Sequence, residues 1–321
     1  MRAHLFLRDD LRVPVLVPVA GGTAIAYTAP SPVPADRLNE DGVAIFDLGP
    51  EAAVLAVADG VGGHGRGDEA ARTALLTIAS ALEEIGELAP GPEGEAPPAD
   101  LREPVMAAIE RANSRLVARA GSLATTLVVA TIHRGELRCY TVGDSELLVV
   151  GQRGKLKLRT IPHSPVGYAR ESGLLGEAEA LLHDERHLLS NVLGMEGMHM
   201  AATSGIQLAA RDTVLLGSDG VFDNLYHDEI IELVRAGEPY ATAEQLLGRL
   251  RGRMAGLDPE PEIPCKPDDL SFVLFRPQAP RPETHERAER AERERIEAEQ
   301  AEGQGSEQPA AAGQDEGPAG G

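Results

Sequence analysis

The chain lacks the features that direct a protein to a membrane, a nucleic acid or an oxidising compartment. Cys139 and Cys265 are its only cysteines, so it has no disulfide framework and fits a reducing cytoplasm. No run of about 18 apolar residues occurs, and Pro14 and Pro18 interrupt the N-terminal apolar stretch, which makes it a poor signal-peptide core. The formal charge of −21 would repel duplex nucleic acid and anionic lipid. We therefore expect a cytoplasmic protein that binds neither nucleic acid nor membrane.

Large aromatic side chains and lysines are also scarce. Tryptophan is absent and phenylalanine occurs five times, so the core must be mainly aliphatic, and the 42% of apolar residues can supply it. Lysine occurs only as Lys155, Lys157 and Lys266, whereas arginine is abundant.

The apolar pattern ends near Pro277. Residues 281–321 carry eleven acids and five arginines with almost nothing to bury. Such a composition is typical of disordered segments. We predict one folded domain over residues 1–276 and a disordered acidic tail over residues 277–321.

Within the domain, short apolar runs bounded by Gly, Pro or Asp predict strands, and apolar residues spaced three or four apart predict helices. The strands come in hairpin-like runs separated by helix pairs, without regular βαβ alternation. This order favours an α+β fold in which antiparallel sheets are faced by helices. The predicted strands are 22–27, 43–46, 54–58, 123–133, 136–142, 146–150, 213–217 and 270–275, and the predicted helices run near 75–85, 105–116, 228–235 and 242–254.

Four acidic clusters stand at the ends of predicted strands. They are Asn39-Glu40-Asp41-Gly42, Ala58-Asp59-Gly60, Ser218-Asp219-Gly220 and Asp268-Asp269. Carboxylates gathered at one rim of a sheet repel each other unless a cation neutralises them. Oxygen-only ligands suit Mg²⁺ or Mn²⁺ rather than Zn²⁺.

Each cluster taken singly is better explained as a turn, because Asp-Gly is a common turn dipeptide. Their order is more specific. The series Asn39-Glu40-Asp41, Asp59-Gly60-Val61-Gly62-Gly63-His64, Gly143-Asp144-Ser145, Ser218-Asp219-Gly220 and Asp268-Asp269-Leu270-Ser271 resembles the type 2C (PPM) family of metal-dependent serine/threonine phosphatases, in its bacterial form. The resemblance runs from about Gly22 to Arg276 and implies two antiparallel β-sheets sandwiched between helix layers.

The resemblance also implies a role for each acid. Asp59 would bridge two metal ions, and the Gly60 carbonyl would bind one of them. Asp219 and Asp268 would complete one ion, and Asp144 matches the position of a third, looser ion. Glu40 and Asp41 would hold metal-bound waters. The implied cofactors are two or three Mn²⁺ or Mg²⁺ ions.

The implied reaction is hydrolysis of phosphoserine and phosphothreonine in proteins. Two cations about 3.5–4 Å apart can bridge a water, lower its pKa and aim it at phosphorus. Partners would be phosphorylated proteins, in opposition to a serine/threonine kinase, and we expect a monomer. Two alternatives stay open: a hydrolase of small phosphoesters, and a catalytically silent phosphoprotein-binding module on the same fold. The chain has no Asp-x-Asp, which argues against a haloacid dehalogenase-type phosphatase.

Three positions depart from patterns within the family. Val61 stands where animal members carry a His that is proposed to protonate the leaving oxygen, which leaves His64 as a candidate general acid. Asp36 stands where many members have a phosphate-binding Arg, so Arg37, one residue on, is the candidate. Glu146 follows Gly-Asp-Ser where Arg is usual.

Residues 167–184 occupy the place of the family's variable flap. We interpret them as a segment that shapes substrate choice, although their Ser, Gly and Leu content is equally typical of a loop that packs on the core.

Overall fold

The apolar runs of this chain form fourteen described strands, all of which pair antiparallel. The computed structural model describes residues 1–33, 37–61, 66–88, 100–119, 123–257 and 263–278, with the side chains of 85–88 excepted. The strands are β1 (Arg2–Leu7), β2 (Val15–Val19), β3 (Gly22–Ala29), β4 (Asp41–Asp47), β5 (Ala52–Val61), β6 (Ala124–Thr125), β7 (Leu127–His133), β8 (Glu136–Val142), β9 (Glu146–Val150), β10 (Leu156–Arg159), β11 (Ala201–Ala202), β12 (Ile206–Gln207), β13 (Thr213–Gly217) and β14 (Leu270–Pro277).

These strands divide between two sheets. The first has the order β1-β4-β5-β7-β8-β11, with β6 on β5 and β12 on β8, and the second has the order β10-β9-β13-β14-β3-β2. Their facing sides share a core of buried aliphatic residues that includes Val43, Leu55 and Val128 of the first sheet and Leu216 and Val273 of the second. Burying this apolar surface on both inner faces holds the sheets together.

Helices cover the outer face of each sheet. The described helices are α1 (Gly67–Leu88), α2 (Arg102–Val117), α3 (Pro165–Glu171), α4 (Glu177–Leu181), α5 (Asp219–Phe222), α6 (His227–Val234) and α7 (Pro239–Met254), of which α3 and α4 belong to the flap. α1 and α2 pack on the first sheet, where Leu75, Ile78 and Leu82 form the buried stripe that their spacing predicts. α5, α6 and α7 pack on the second sheet. The predicted α+β sandwich is thereby confirmed.

The structure differs from the predicted elements in informative places. β1 and β2 were not predicted, because each lies at a sheet edge and keeps exposed residues that obscure its pattern. The predicted strand 123–133 is interrupted at Thr126, where the Thr126 N–H donates to the Asp59 carbonyl at 2.8 Å. The predicted flap contains α4 and most of α3.

Two predictions fall on residues that are not described. Of the predicted tail, 277–321, Pro277 ends β14 and Gln278 is described, whereas residues 279–321 lie outside the described residues, as does His64 in the gap 62–65. Both stay predictions. Among the described helices, none carries an apolar stretch long enough to cross a bilayer.

Candidate active site

Strand pairing in the first sheet places two of the predicted acids side by side. Asp41, the first residue of β4, is the cross-strand partner of Asp59 near the end of β5. The Thr126 hydroxyl accepts the Asp59 N–H at 3.1 Å, and the Thr125 hydroxyl donates to the Asp59 carbonyl at 2.8 Å. The interruption between β6 and β7 thus fixes the backbone of Asp59.

Gly60 has no room for a side chain. A Cβ there would lie 2.2 Å from the carbonyl carbon and oxygen of Gly67, at the start of α1, and 2.6 Å from the Glu40 carbonyl oxygen. The Gly60 N–H donates to that Glu40 carbonyl at 3.1 Å. Only glycine fits this contact, which holds the predicted carbonyl ligand against the first turn of α1.

Glu40 ties the same turn together. It is buried, and its Oε1 accepts the Gly67 N–H at 3.0 Å, a favourable place for a carboxylate at a helix N-terminus. Its Oε2 accepts from Arg37 at 2.9 Å. Both Glu40 oxygens therefore have partners within the protein.

The second sheet contributes the remaining acids. Asp219 begins α5 two residues after the last residue of β13, and Asp268 lies two residues before β14, the strand that pairs with β13. A Cβ on Gly220 would lie 2.0 Å from the Asp269 carbonyl oxygen, so this glycine lets the two segments meet. The meeting brings Asp219 and Asp268 to one end of the sheet.

Two buried side chains join the sheets at this end. The Ser218 hydroxyl donates to Asp41 Oδ2 at 2.9 Å. Asp269 accepts the Glu40 N–H and the Ser31 N–H, each at 2.7 Å. These contacts lock the Asn39-Glu40-Asp41 segment against the ends of β13 and β14.

The assembled acids repel each other. Burial, followed by the charges of Asp41, Asp219, Asp144 and Asp268, raises the pKa of Asp59 well above its ordinary range. Burial and Asp219 likewise raise the pKa of Asp268 to about 6, against the opposing effect of Lys266. The carboxylates are thus held close together at an electrostatic cost.

Asp41 and Asp144 are also held in surroundings that disfavour their negative charge. Burial and the charge of Asp269 raise the pKa of Asp41, and burial and the charge of Asp219 raise that of Asp144. Within the described part of the chain, Asp41 Oδ1 and Asp144 Oδ1 are buried and have no hydrogen-bond partner. Carboxylate oxygens without a partner, in surroundings that disfavour their negative charge, fit a hard divalent cation such as Mg²⁺ or Mn²⁺, or water bound to one.

One end of the cluster already holds a positive charge. Lys266 Nζ contacts Asp219 and lies 3.0 Å from Asp223 Oδ2 and 3.2 Å from Asp268 Oδ2. Among the residues that the structure describes, no three His, Cys, Asp or Glu side chains form a ready-made metal-binding group. At the Asp219–Asp268 end, a lysine ammonium contacts the oxygens instead.

Arg37 lies at the edge of the cluster. Its Nη2 donates to Glu40 Oε2, its Nη1 lies 3.8 Å from Asp268 Oδ1, and 41% of its side chain is exposed. The candidate phosphate-binding arginine is thus near the metal-site acids and open to solvent. Asp36 and His64 lie outside the described residues, so their positions relative to it are not described.

The flap helices are anchored beside the cluster by a second group of charges. Glu146, only 3% exposed, accepts from Arg170 of α3 at 3.3 Å, and its Oε2 lies 3.8 Å from His227 Nε2. The His227 N–H donates to Glu177 of α4 at 2.7 Å. A cavity beside the flap is lined both by acids of the cluster, Asp144, Asp219 and Asp223, and by Gly167 and Arg170 of α3.

Sequence reasoning gave no role to three residues of this site. Asp223 lies four residues after Asp219, a spacing that places both on one face of a helical turn. Lys266 is one of three lysines in the chain, a scarcity that could have drawn attention to it. Asp269 stood out only as the neighbour of Asp268, and its own role could not be predicted, because its partners Ser31 and Glu40 are far away in the sequence.

Comparisons with known proteins agree with this geometry. The family model described as "Protein phosphatase 2C" matches residues 31–251. The serine/threonine phosphatase stp of Listeria welshimeri is 29% identical over 204 residues, which cover 62% of this chain and 78% of that protein.

Solved structures are similar over a larger part of the chain. The crystal structure of the Mycobacterium tuberculosis serine/threonine phosphatase PstP/Ppp is 25% identical, with a TM-score of 0.62 over 80% of this chain and 98% of that one. A PstP catalytic domain in complex with two manganese ions has a TM-score of 0.59 at 24% identity, over 80% of this chain and 98% of that one. With the family match covering most of the chain, the fold and the order of the acids have one consistent explanation: the chain belongs to the protein phosphatase 2C family and is a protein serine/threonine phosphatase of the bacterial type.

Proposed function

We propose that this chain hydrolyses phosphoserine and phosphothreonine in proteins with two divalent cations, Mn²⁺ or Mg²⁺. Asp59, the Gly60 carbonyl, Asp219 and Asp268 would hold the two ions, and Asp144 would hold a third, looser one. The observation that carries the proposal is the set of mutually repelling carboxylates, which includes two buried oxygens without partners. The two manganese ions of the PstP catalytic domain support it.

The bound ions would supply the positive charge that activates an attacking water and offsets the charge of the phosphate. The protein places the carboxylates for this purpose and fixes them from behind. The Ser218 hydroxyl orients Asp41, and Asp269 fixes the backbone of Glu40. Asp41, with one oxygen unpartnered, and Glu40 would then hold ordered water rather than an ion.

The serines beside the acids are not placed as nucleophiles. The Ser218 hydroxyl donates to Asp41, and the Ser145 hydroxyl is hydrogen bonded to the Thr126 hydroxyl at 2.7 Å. Among the residues that the structure describes, neither has a histidine as its hydrogen-bond partner, which a serine nucleophile normally requires. The attacking group in the proposed reaction is therefore water.

The substrate would approach from the side of Arg37. This exposed guanidinium lies close to Glu40 and Asp268 and could exchange its contact with Glu40 for a phosphate oxygen. His64 remains the candidate for protonating the leaving oxygen. The physiological substrates would be proteins phosphorylated by a serine/threonine kinase, with the phosphatase acting as a monomer.

The proposal is tested by hydrolysis of a phosphoserine peptide and of p-nitrophenyl phosphate. We expect both activities to vanish in EDTA and to return with Mn²⁺ better than with Zn²⁺, because the donors are all oxygen. A parallel measurement of Mn²⁺ binding by calorimetry, with the Asp59→Asn variant as control, would connect the activity to this site. Full turnover in chelator would contradict the two-metal proposal.

A further inference from the structure

Lys266 occupies an unusual position for a lysine. Its side chain is 17% exposed, and its ammonium contacts the carboxylates of Asp219, Asp223 and Asp268. An ammonium has three N–H donors, so Lys266 can donate to all three carboxylates at once. Each N–H of the Lys266 ammonium thus has an acid near the active site as a possible acceptor.

The backbone of Lys266 is fixed as well. The fully buried Asn224 side chain accepts the Lys266 N–H at 2.7 Å and donates to the Lys266 carbonyl at 2.9 Å. Asn224 also donates to the Gly220 carbonyl at 2.9 Å, within the helical turn that begins with Asp219. The lysine is therefore fixed to the same turn that supplies two of its carboxylate partners.

A lysine at this position is unusual for the chain, because only three of its 30 lysines and arginines are lysines. A lysine ammonium is a compact point charge that fits between converging carboxylates, whereas the planar guanidinium of arginine needs a broader, bidentate partner. The space between the three carboxylates therefore suits the ammonium of a lysine better than the guanidinium of an arginine.

Two of the three partners of Lys266 are also proposed metal ligands. A divalent cation that binds Asp219 and Asp268 must share their oxygens with Lys266, and at ion-pair distance the two positive charges repel each other. We propose that Lys266 acts as a tethered competitor that weakens divalent-metal binding at the Asp219–Asp268 end of the site and so sets its metal affinity. This inference depends on the proposed metal site.

The experiment measures Mn²⁺ binding to the full chain by calorimetry and by the electron paramagnetic resonance signal of free Mn²⁺, without substrate. Lys266→Met removes the charge and keeps the unbranched side chain up to the position of Cε, and we expect it to lower the Kd for Mn²⁺ about tenfold or more. Lys266→Arg keeps the charge and should bind less tightly than Lys266→Met. Lys157→Met is the matched control, because Lys157 pairs with Asp212 at the opposite end of β13, and it should leave the Kd unchanged.

A second readout is the rise in melting temperature on adding Mn²⁺. This rise should be larger in Lys266→Met than in the unaltered chain, because ligand stabilisation grows as the Kd falls. If Lys266→Met does not fold, Lys266→Gln removes the same charge and should give the same change.

The outcomes separate this inference from the proposed function. If the unaltered chain binds Mn²⁺ but Lys266→Met binds it with equal or lower affinity, the competition is disproved and Lys266 instead positions the ligands. If the unaltered chain binds no Mn²⁺ and is active in chelator, the proposed metal site itself fails.

Discussion

Asp144 and Glu146 are two residues apart in the sequence, and the carboxylates of both are buried. The charges around the two carboxylates are nevertheless opposite in sign. Burial, Asp219 and Asp223 raise the pKa of Asp144 well above its ordinary range. Burial alone would also raise the pKa of Glu146, but the nearby His227 and the charge of Arg170 lower it instead. One carboxylate faces other acids, and its neighbour faces bases.

The comparison separates two uses of a buried acid. Glu146 is neutralised by side chains of α3 and α6, so its negative charge supports the packing of the flap. Among the described residues, the acids around Asp144 outnumber the bases that contact them, and Lys266 is in contact with Asp219 and Asp268 at one end. Acids that the protein leaves unneutralised are therefore the ones expected to bind metal ions, and neutralised acids are expected to stabilise the fold.

The largest expected effect is on catalysis when Asp59 is replaced. Asp59→Asn removes the charge proposed to hold both ions, and we expect the rate of phosphoserine-peptide hydrolysis to fall by roughly 10³-fold or more. The melting temperature in EDTA should stay the same or rise, because one repelling charge is lost. Steady-state kinetics at saturating Mn²⁺ and thermal unfolding measure the two effects.

Asp144→Asn is a comparison variant for Asp59→Asn, with a smaller loss of rate expected. Its proposed ion is looser, so its rate should fall less than that of Asp59→Asn. Near-normal turnover by Asp59→Asn would show that the role assigned to this residue is wrong.

A smaller effect, on stability, is expected at the neutralised acid. Arg170→Met leaves Glu146 buried without its guanidinium partner, and breaking a buried pair in this way costs about 3 kcal/mol. The free energy of unfolding, measured in urea, should fall by that amount. Arg159→Met is the control, since Arg159 pairs with Glu171 on the same flap helix at a site where Glu171 is 44% exposed, and such surface pairs contribute about 0–1 kcal/mol. If the free energy of unfolding fell equally in the two variants, the ion pair of Glu146 would contribute no more to stability than a surface ion pair.

The smallest expected effect is a pH-dependent gain in stability at Asp268. Burial and Asp219 raise its pKa to about 6 in the folded protein, above the value of about 3.9 in an unfolded chain. Ionising Asp268 therefore destabilises the fold, with a cost that grows as the pH rises above about 4 and is complete above about 6. In EDTA at pH 8, Asp268→Asn should raise the free energy of unfolding by about 1–2 kcal/mol, and the gain should shrink at pH 5.

The Asn side chain keeps the Oδ1 that accepts the Asp269 N–H at 2.9 Å, so the variant changes mainly the charge. Asp10→Asn, at a half-exposed surface pair with Arg12, should show no such pH dependence. A loss of stability in Asp268→Asn at pH 8 would mean that the attraction of Lys266 outweighs the repulsion by Asp219.

The amino-acid sequence by itself determined the main core strands and helices and indicated the family. The stripe of Leu75, Ile78 and Leu82 and the run Val54–Ala58 are local patterns, set by which residues must face an apolar core, and the structure confirms the helix and the strand they predict. The ordered acidic motifs indicated the phosphatase family because each is short and contiguous. They also led to the expectation that Asp41 and Asp59 share one rim, and pairing of β4 with β5 places them together.

Only the tertiary structure decided which acids are neutralised. Glu146 stands where the family usually has an arginine. Nothing near it in the sequence shows that Arg170 of the flap and His227 of α6 lie beside it in the folded chain. Asp41 meets Ser218, and Glu40 meets Asp269, across separations of 177 and 229 residues. Such contacts depend on how two sheets stack and where their strands end, and no periodic pattern encodes that geometry. The charge of each acid can be read from the sequence, but its pKa depends on neighbours that folding brings together.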